Sequence, residues 1–124
     1  MEKVQNCSQR SRVDLPELLA RVDNDRELLH DLLTIFKEEF PRHLQALRDA
    51  VASEDMKQTK IVSHTLKGML SNLAVTGAAT AAAQLEQLAC GGAKASLQEA
   101  FTAFELEVQG LLPEMETHMA EVRR

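Results

Sequence analysis

Leu29, Leu33, Phe36, Phe40, Leu44, Leu47 and Val51 recur at steps of three and four. That spacing keeps all of them on one face of a helix. Pro41 interrupts the run without shifting its phase, which predicts one kinked helix rather than two. A second stripe runs through Leu97, Phe101, Phe104, Val108, Leu111, Met115, Met119 and Val122, and Gly110 and Pro113 should bend or loosen that helix partway. Two more helices are predicted between the stripes, from about Met56 to Leu73 and from Thr76 to about Cys90, the latter rich in alanine. β-branched residues never cluster, so no strands are predicted.

Local signals set the expected boundaries. Asp14 with Glu17 predicts a short helix through "LPELLARV", the glutamate reaching back to the cap. Asn24 with Glu27 repeats that form ahead of the first long stripe, and "SED" at 53–55 reads as a turn and cap. Gly91 and Gly92 should end the alanine-rich helix, and Ser96 with Glu99 reads as a capping box for the last one. Four substantial amphipathic helices with short connections predict an all-α fold, an antiparallel up-down-up-down four-helix bundle with a short additional N-terminal helix. Residues 1–13 are expected to be a flexible N-terminal tail, and 14–124 the bundle domain.

Composition narrows the function. The net charge of −5 argues against general attraction to nucleic acid or anionic lipid, and 3% aromatic residues leave few rings for stacking bases. No apolar run reaches the ~18 residues of a membrane span. The first residues, "MEKVQNCSQRSR", hold no apolar signal core, so a cytoplasmic location is expected. Cys7 and Cys90 form no motif, and two thiols in a reducing compartment are expected over a single disulfide.

The third predicted helix carries the candidate chemistry, "SHTLKG" at 63–68. Val62, Leu66, Met69, Leu70 and Leu73 share one arc, and His64 falls about 200° from Val62 at 100° per residue, facing solvent. Lys60, Ile61, Lys67 and Gly68 are its neighbours one turn away, with Lys57 and Ser71 further along that face. A neutral imidazole is a nucleophile near pH 7, and a phosphoryl group attached to it would be stabilised by the ammonium groups around it. A helix-interior glycine costs about 1 kcal/mol relative to alanine, which clearance for a docking protein would justify. Ile61 would add an apolar contact. Residue types and spacing leave a blander reading open beside this one. The histidine is then idle, the lysines are merely solvated, and the glycine lets a neighbouring helix pack closely.

The wider segment "SHTLKGMLSNLAVTGAATAAAQLEQL" resembles the signature of histidine-containing phosphotransfer (HPt) domains: His-x-(Leu/Phe/Ile)-Lys-Gly on one helix and an "ELE"-like run on the next. The resemblance extends over about residues 14–120. It implies a four-helix bundle whose exposed histidine carries a phosphoryl group between aspartates of receiver domains in a multistep two-component phosphorelay. His64 matches the phosphorylated position, at Nε2. Lys67 matches the lysine that contacts the phosphoryl group, and Gly68 the glycine that opens the surface. Glu86 stands where the family often has Glu or Gln to bond the ring's other nitrogen. Lys57, Lys60, Ile61, Gly68 and Ser71 would form the docking surface. The implied partners are response-regulator receiver domains and a hybrid sensor histidine kinase, in cis or in trans. The chain is expected to be a monomeric phosphoryl carrier with no kinase activity and no cofactor of its own, the Mg²⁺ belonging to the receiver. Ala74 and Val75 depart from the family's Gly-Ala, so the turn up to Gly77 should be built differently.

Three rival readings stand beside it. A histidine-kinase dimerisation helix usually has an acidic residue directly after its histidine, where Thr65 stands here. A di-metal bundle needs two Glu-x-x-His units, and the chain has one, Glu27 to His30. His43 and His118 follow Glu39 and Glu114 at the wrong spacing, and with His30 they read as surface or boundary residues. A non-enzymatic helical adaptor that binds a signalling partner without phosphorylation is the rival from a different class.

Overall fold

A computed structural model describes residues 13–123, which hold helices and connecting turns but no strand. Six helices are present among the described residues: α1 (Leu15–Arg21), α2 (Arg26–Ala52), α3 (Met56–Asn72), α4 (Thr76–Cys90), α5 (Lys94–Val108) and α6 (Leu111–Arg123). Most of the expected N-terminal tail lies outside the described residues, as does Cys7. Val13 does not belong to a tail: it is buried in the core, and its N–H donates to Glu114 Oε2 at 3.0 Å.

Both long stripes are buried as the periodicity requires. Leu29, Leu33, Phe36, Phe40, Leu47 and Val51 of α2 face the core, and the rings of Phe36 and Phe40 stack with centroids 4.8 Å apart. The helix continues through Pro41, which lies on its exposed side. The second stripe is not one helix. Gln109 is extended and Gly110 adopts φ 83°, so the chain breaks into α5 and α6, which still bury Leu97, Phe101, Phe104, Val108, Leu111 and Met115.

Three cap assignments change. Asp14 caps α1 through its own carboxylate on the N–H of Glu17, but the Glu17 side chain pairs with Arg21 instead of reaching back. The cap of α2 is Asp25, bonded to the N–H of Leu28, because Asn24 is used in the preceding turn with φ 62°. No side chain caps α5, which begins at Lys94 and leaves Ser96 inside its first turn.

Helices α1 to α4 all end in the same hydrogen-bonded turn. The second residue past the C-cap bonds the carbonyl three positions inside the helix: Asn24 to Leu19, Asp55 to Ala50, Val75 to Leu70 and Ala93 to Leu88. The residue before it takes a left-handed conformation. Those residues are Asp23 at φ 55°, Glu54 at φ 57°, Ala74 at φ 58° and Gly92 at φ 73°. Only the last is glycine, the residue that adopts this conformation without a Cβ penalty. The turn after α3 is therefore an ordinary helix stop made with an alanine.

The helices form a bundle in which α3 packs against α4 and α2, α4 against α5, and α2 also against α5 and α6. Ala78, Ala79, Ala82 and Ala89 of α4 are buried, and such short side chains let α3 come close. Exposed ion pairs, Arg48 with Glu105 and Lys37 with Glu116, cross from α2 to α5 and α6. Exposed pairs of this kind contribute little individually, so apolar burial holds the bundle together.

Candidate functional site

α3 buries Val62, Leu66 and Leu70, together with the short polar side chains of Thr59 and Ser63. Their arc fixes the opposite face outward. His64 is turned to solvent with its side chain 66% exposed, as the helical phase requires. Ser63, its neighbour in sequence, is fully buried and donates its hydroxyl to the carbonyl of Thr59, so the two side chains belong to different surfaces.

The close approach of α4 brings Glu86 to the histidine. Its Oε2 lies 2.9 Å from His64 Nδ1, and its Oε1 lies 2.9 Å from Lys67 Nζ. The carboxylate is 21% exposed. The hydrogen bond from Lys67 is the main cause holding its pKa below the usual 4.5; contact with His64 adds to this, and burial works against it. Glu86 is thus ionised at neutral pH and can only accept. Nδ1 must then donate, and a neutral ring keeps its lone pair on Nε2, the free nitrogen.

Beside the ring is an open hollow of about 380 Å³ lined by Lys60, Ile61, His64, Thr65 and Glu86. Ile61 is 48% exposed, a large apolar side chain on the same face. Lys57 and Lys60 are exposed. Among the described residues a Cβ built on Gly68 would meet nothing within 4 Å, so no neighbouring helix among them requires this glycine. The close-packing explanation of Gly68 is excluded, and open space lies over that turn.

Ser71 is exposed two turns on, and its carbonyl takes part in an interaction that sequence reasoning missed. Arg21 Nη1 donates to the carbonyls of Ser71 and Asn72, each at 3.1 Å, while its Nε donates to Glu17 Oε2 at 2.9 Å. Arg21 thereby pins α1 to the carboxyl end of the histidine helix. The only signal in the sequence was Glu17 four residues before Arg21, which predicts their pairing but not the destination of the guanidinium.

The other histidines do not join this site. His30 and His43 are half-buried on α2, and His118 lies between Glu114 and Glu121 on α6. Among the described residues, no three His, Cys, Asp or Glu side chains are grouped to hold a metal ion. Cys90 is an exposed free thiol. No helix among the described residues is long and apolar enough to cross a membrane.

The family model described as the Hpt domain matches residues 31–123, three quarters of the chain. No curated protein and no solved structure matches it.

Proposed function

The chain belongs to the Hpt domain family, whose members are phosphocarrier modules of phosphorelays, and on that premise we propose that His64 accepts a phosphoryl group from a receiver-domain aspartate and passes it to another receiver. The observation that carries this reading is the Glu86 carboxylate on Nδ1, which leaves an outward-facing Nε2 as the nucleophile. In the transfer, the Nε2 lone pair forms the N–P bond as the aspartyl O–P bond breaks. The electron pair of the broken bond stays on the receiver's carboxylate. The Nδ1 proton stays on the ring, against Glu86.

The surrounding residues take consistent parts. Glu86 orients the ring, and Lys67 balances charge within one turn of it. Lys57, Lys60, Ile61, Gly68 and Ser71 form the face on which a receiver docks, with backbone clearance over Gly68. The receiver supplies the acid pocket and the Mg²⁺, so this domain lowers the barrier by positioning and by charge. The helices are read as an antiparallel four-helix bundle with α1 across one end, acting as a cytoplasmic monomer without kinase activity.

The test is labelling by phosphorylated receivers. Wild-type protein should acquire an acid-labile, base-stable phosphate on His64, and His64→Gln should acquire none while keeping its helical spectrum and melting temperature. Labelling that persists in His64→Gln would place the site elsewhere. Unlabelled wild-type protein that binds the receiver as well as His64→Gln does would leave an adaptor.

A further inference from the structure

Helices α1, α2 and α3 each begin at an aspartate whose carboxylate accepts a backbone N–H of the first turn: Asp14, Asp25 and Asp55. Helix α4 begins after Val75, whose side chain can accept nothing, and no side chain makes a cap hydrogen bond there. Its first turn nonetheless has a carboxylate over it. A Cβ built on Gly77 would fall 2.6 Å from Glu107 Oε1 and 3.5 Å from Glu107 Cδ, so an oxygen from α5 fills the space that a side chain at this position would take. We infer that Glu107 is an electrostatic cap for α4 supplied by α5, and that residue 77 is glycine in order to seat it. The contact is independent of what His64 carries.

Conformational freedom does not account for this glycine. Among the described residues the glycines with positive φ are Gly92 and Gly110, whereas Gly77 lies within α4. Nor is such crowding general: a Cβ on Gly68 or Gly92 would meet nothing within 4 Å, and one on Gly91 only backbone at 3.6 Å or more. Electrostatics points the same way from both helices. The N–H groups of Thr76, Gly77 and Ala78 precede the first backbone bond of α4, from Ala79 to Val75, and form its positive end. Glu107 stands in the last turn of α5, where the negative end of its own helix disfavours a carboxylate and no basic residue is present. Against the start of α4 the same charge becomes favourable. Since α4 is the helix that brings Glu86 to His64, its start is secured by a neighbouring helix rather than by its own cap residue.

A double-mutant cycle in urea unfolding of the full chain tests the pair. In a Glu107→Ala background, Gly77→Ala should lower the unfolding constant by up to about fivefold, the ordinary advantage of alanine over glycine in a helix. In the wild-type background the new methyl group displaces the carboxylate, and the gain should be smaller by at least about twofold. Glu107→Gln keeps the shape and removes the charge. It should unfold more readily than wild type at low salt, with the difference shrinking in 1 M salt, and it should shift the backbone amide resonances of Gly77 and Ala78. The amide resonances separate an effect on α4 from any other contact of Glu107. Additive effects of the two alanine substitutions overturn the inference, as do unmoved Gly77 and Ala78 resonances in Glu107→Gln.

Discussion

His64 and Glu86 stand 22 residues apart in the chain, and Nδ1 of one lies 2.9 Å from Oε2 of the other. The contact depends on two local facts. The phase of α3 turns His64 outward, and the alanines of α4 let that helix approach until a glutamate can reach the ring. Since the carboxylate is an acceptor only, the same contact fixes which ring nitrogen is free.

Glu86 links this arrangement to acidity. Its pKa is lowered first by the hydrogen bond from Lys67, so the ion pair stabilises the fold fully above the unfolded value near 4.5. That contribution is lost as pH falls through the lower folded value. Urea unfolding of wild type and Glu86→Gln between pH 7 and pH 3 should show a stability difference that is constant at the upper end and shrinks toward the lower. A difference that grows on acidification would contradict the assignment.

Gly68 separates stability from docking. A methyl group added at this position would have nothing within 4 Å, so Gly68→Ala should stabilise the isolated domain by about 1 kcal/mol through helix propensity. Gly68→Gln should also fold but bind a receiver more weakly, because the longer side chain fills the clearance. Denaturation curves and calorimetric titration with a receiver measure the two effects separately.

Ala74 is the position where a residue with a side chain is held at φ 58°. Relief of that strain, partly offset by the greater freedom of glycine in the unfolded chain, should make Ala74→Gly more stable by about 0.5–1 kcal/mol. An unchanged or lower melting temperature would show that the turn after α3 does not carry this strain.

Thr59 is fully buried on α3, and its Oγ1 has no hydrogen-bond partner among the described residues. Replacing the hydroxyl by a methyl of the same shape removes an unmet desolvation cost. Thr59→Val should therefore gain about 1 kcal/mol in urea denaturation. A loss of stability would mean that the hydroxyl finds a partner after all.

Much of the site was legible because helical phase is a local property. The outward turn of His64 and the burial of Leu66 and Leu70 follow from spacing alone, and the motif pointed to Lys67, Gly68 and Glu86. The boundaries were less legible. Asp23, Glu54 and Ala74 close their helices in a conformation that sequence reading associates with glycine, and only Gly92 announced itself. The break at Gln109 and Gly110 was expected as a bend for a related reason: the apolar stripe keeps its phase across the gap, and phase carries no record of continuity.

The sequence by itself determined that this protein is helical, which stripe of each helix is buried, and that an imidazole ringed by lysines faces outward, since each depends on residues within two or three turns. Tertiary structure alone decided which partners those groups find. Lys67 is held by Glu86, the space over Gly68 is open, and Arg21 reaches from α1 to the end of α3. A side chain's reach is set by how closely two helices pack, and that distance is a property of the assembled bundle rather than of either helix.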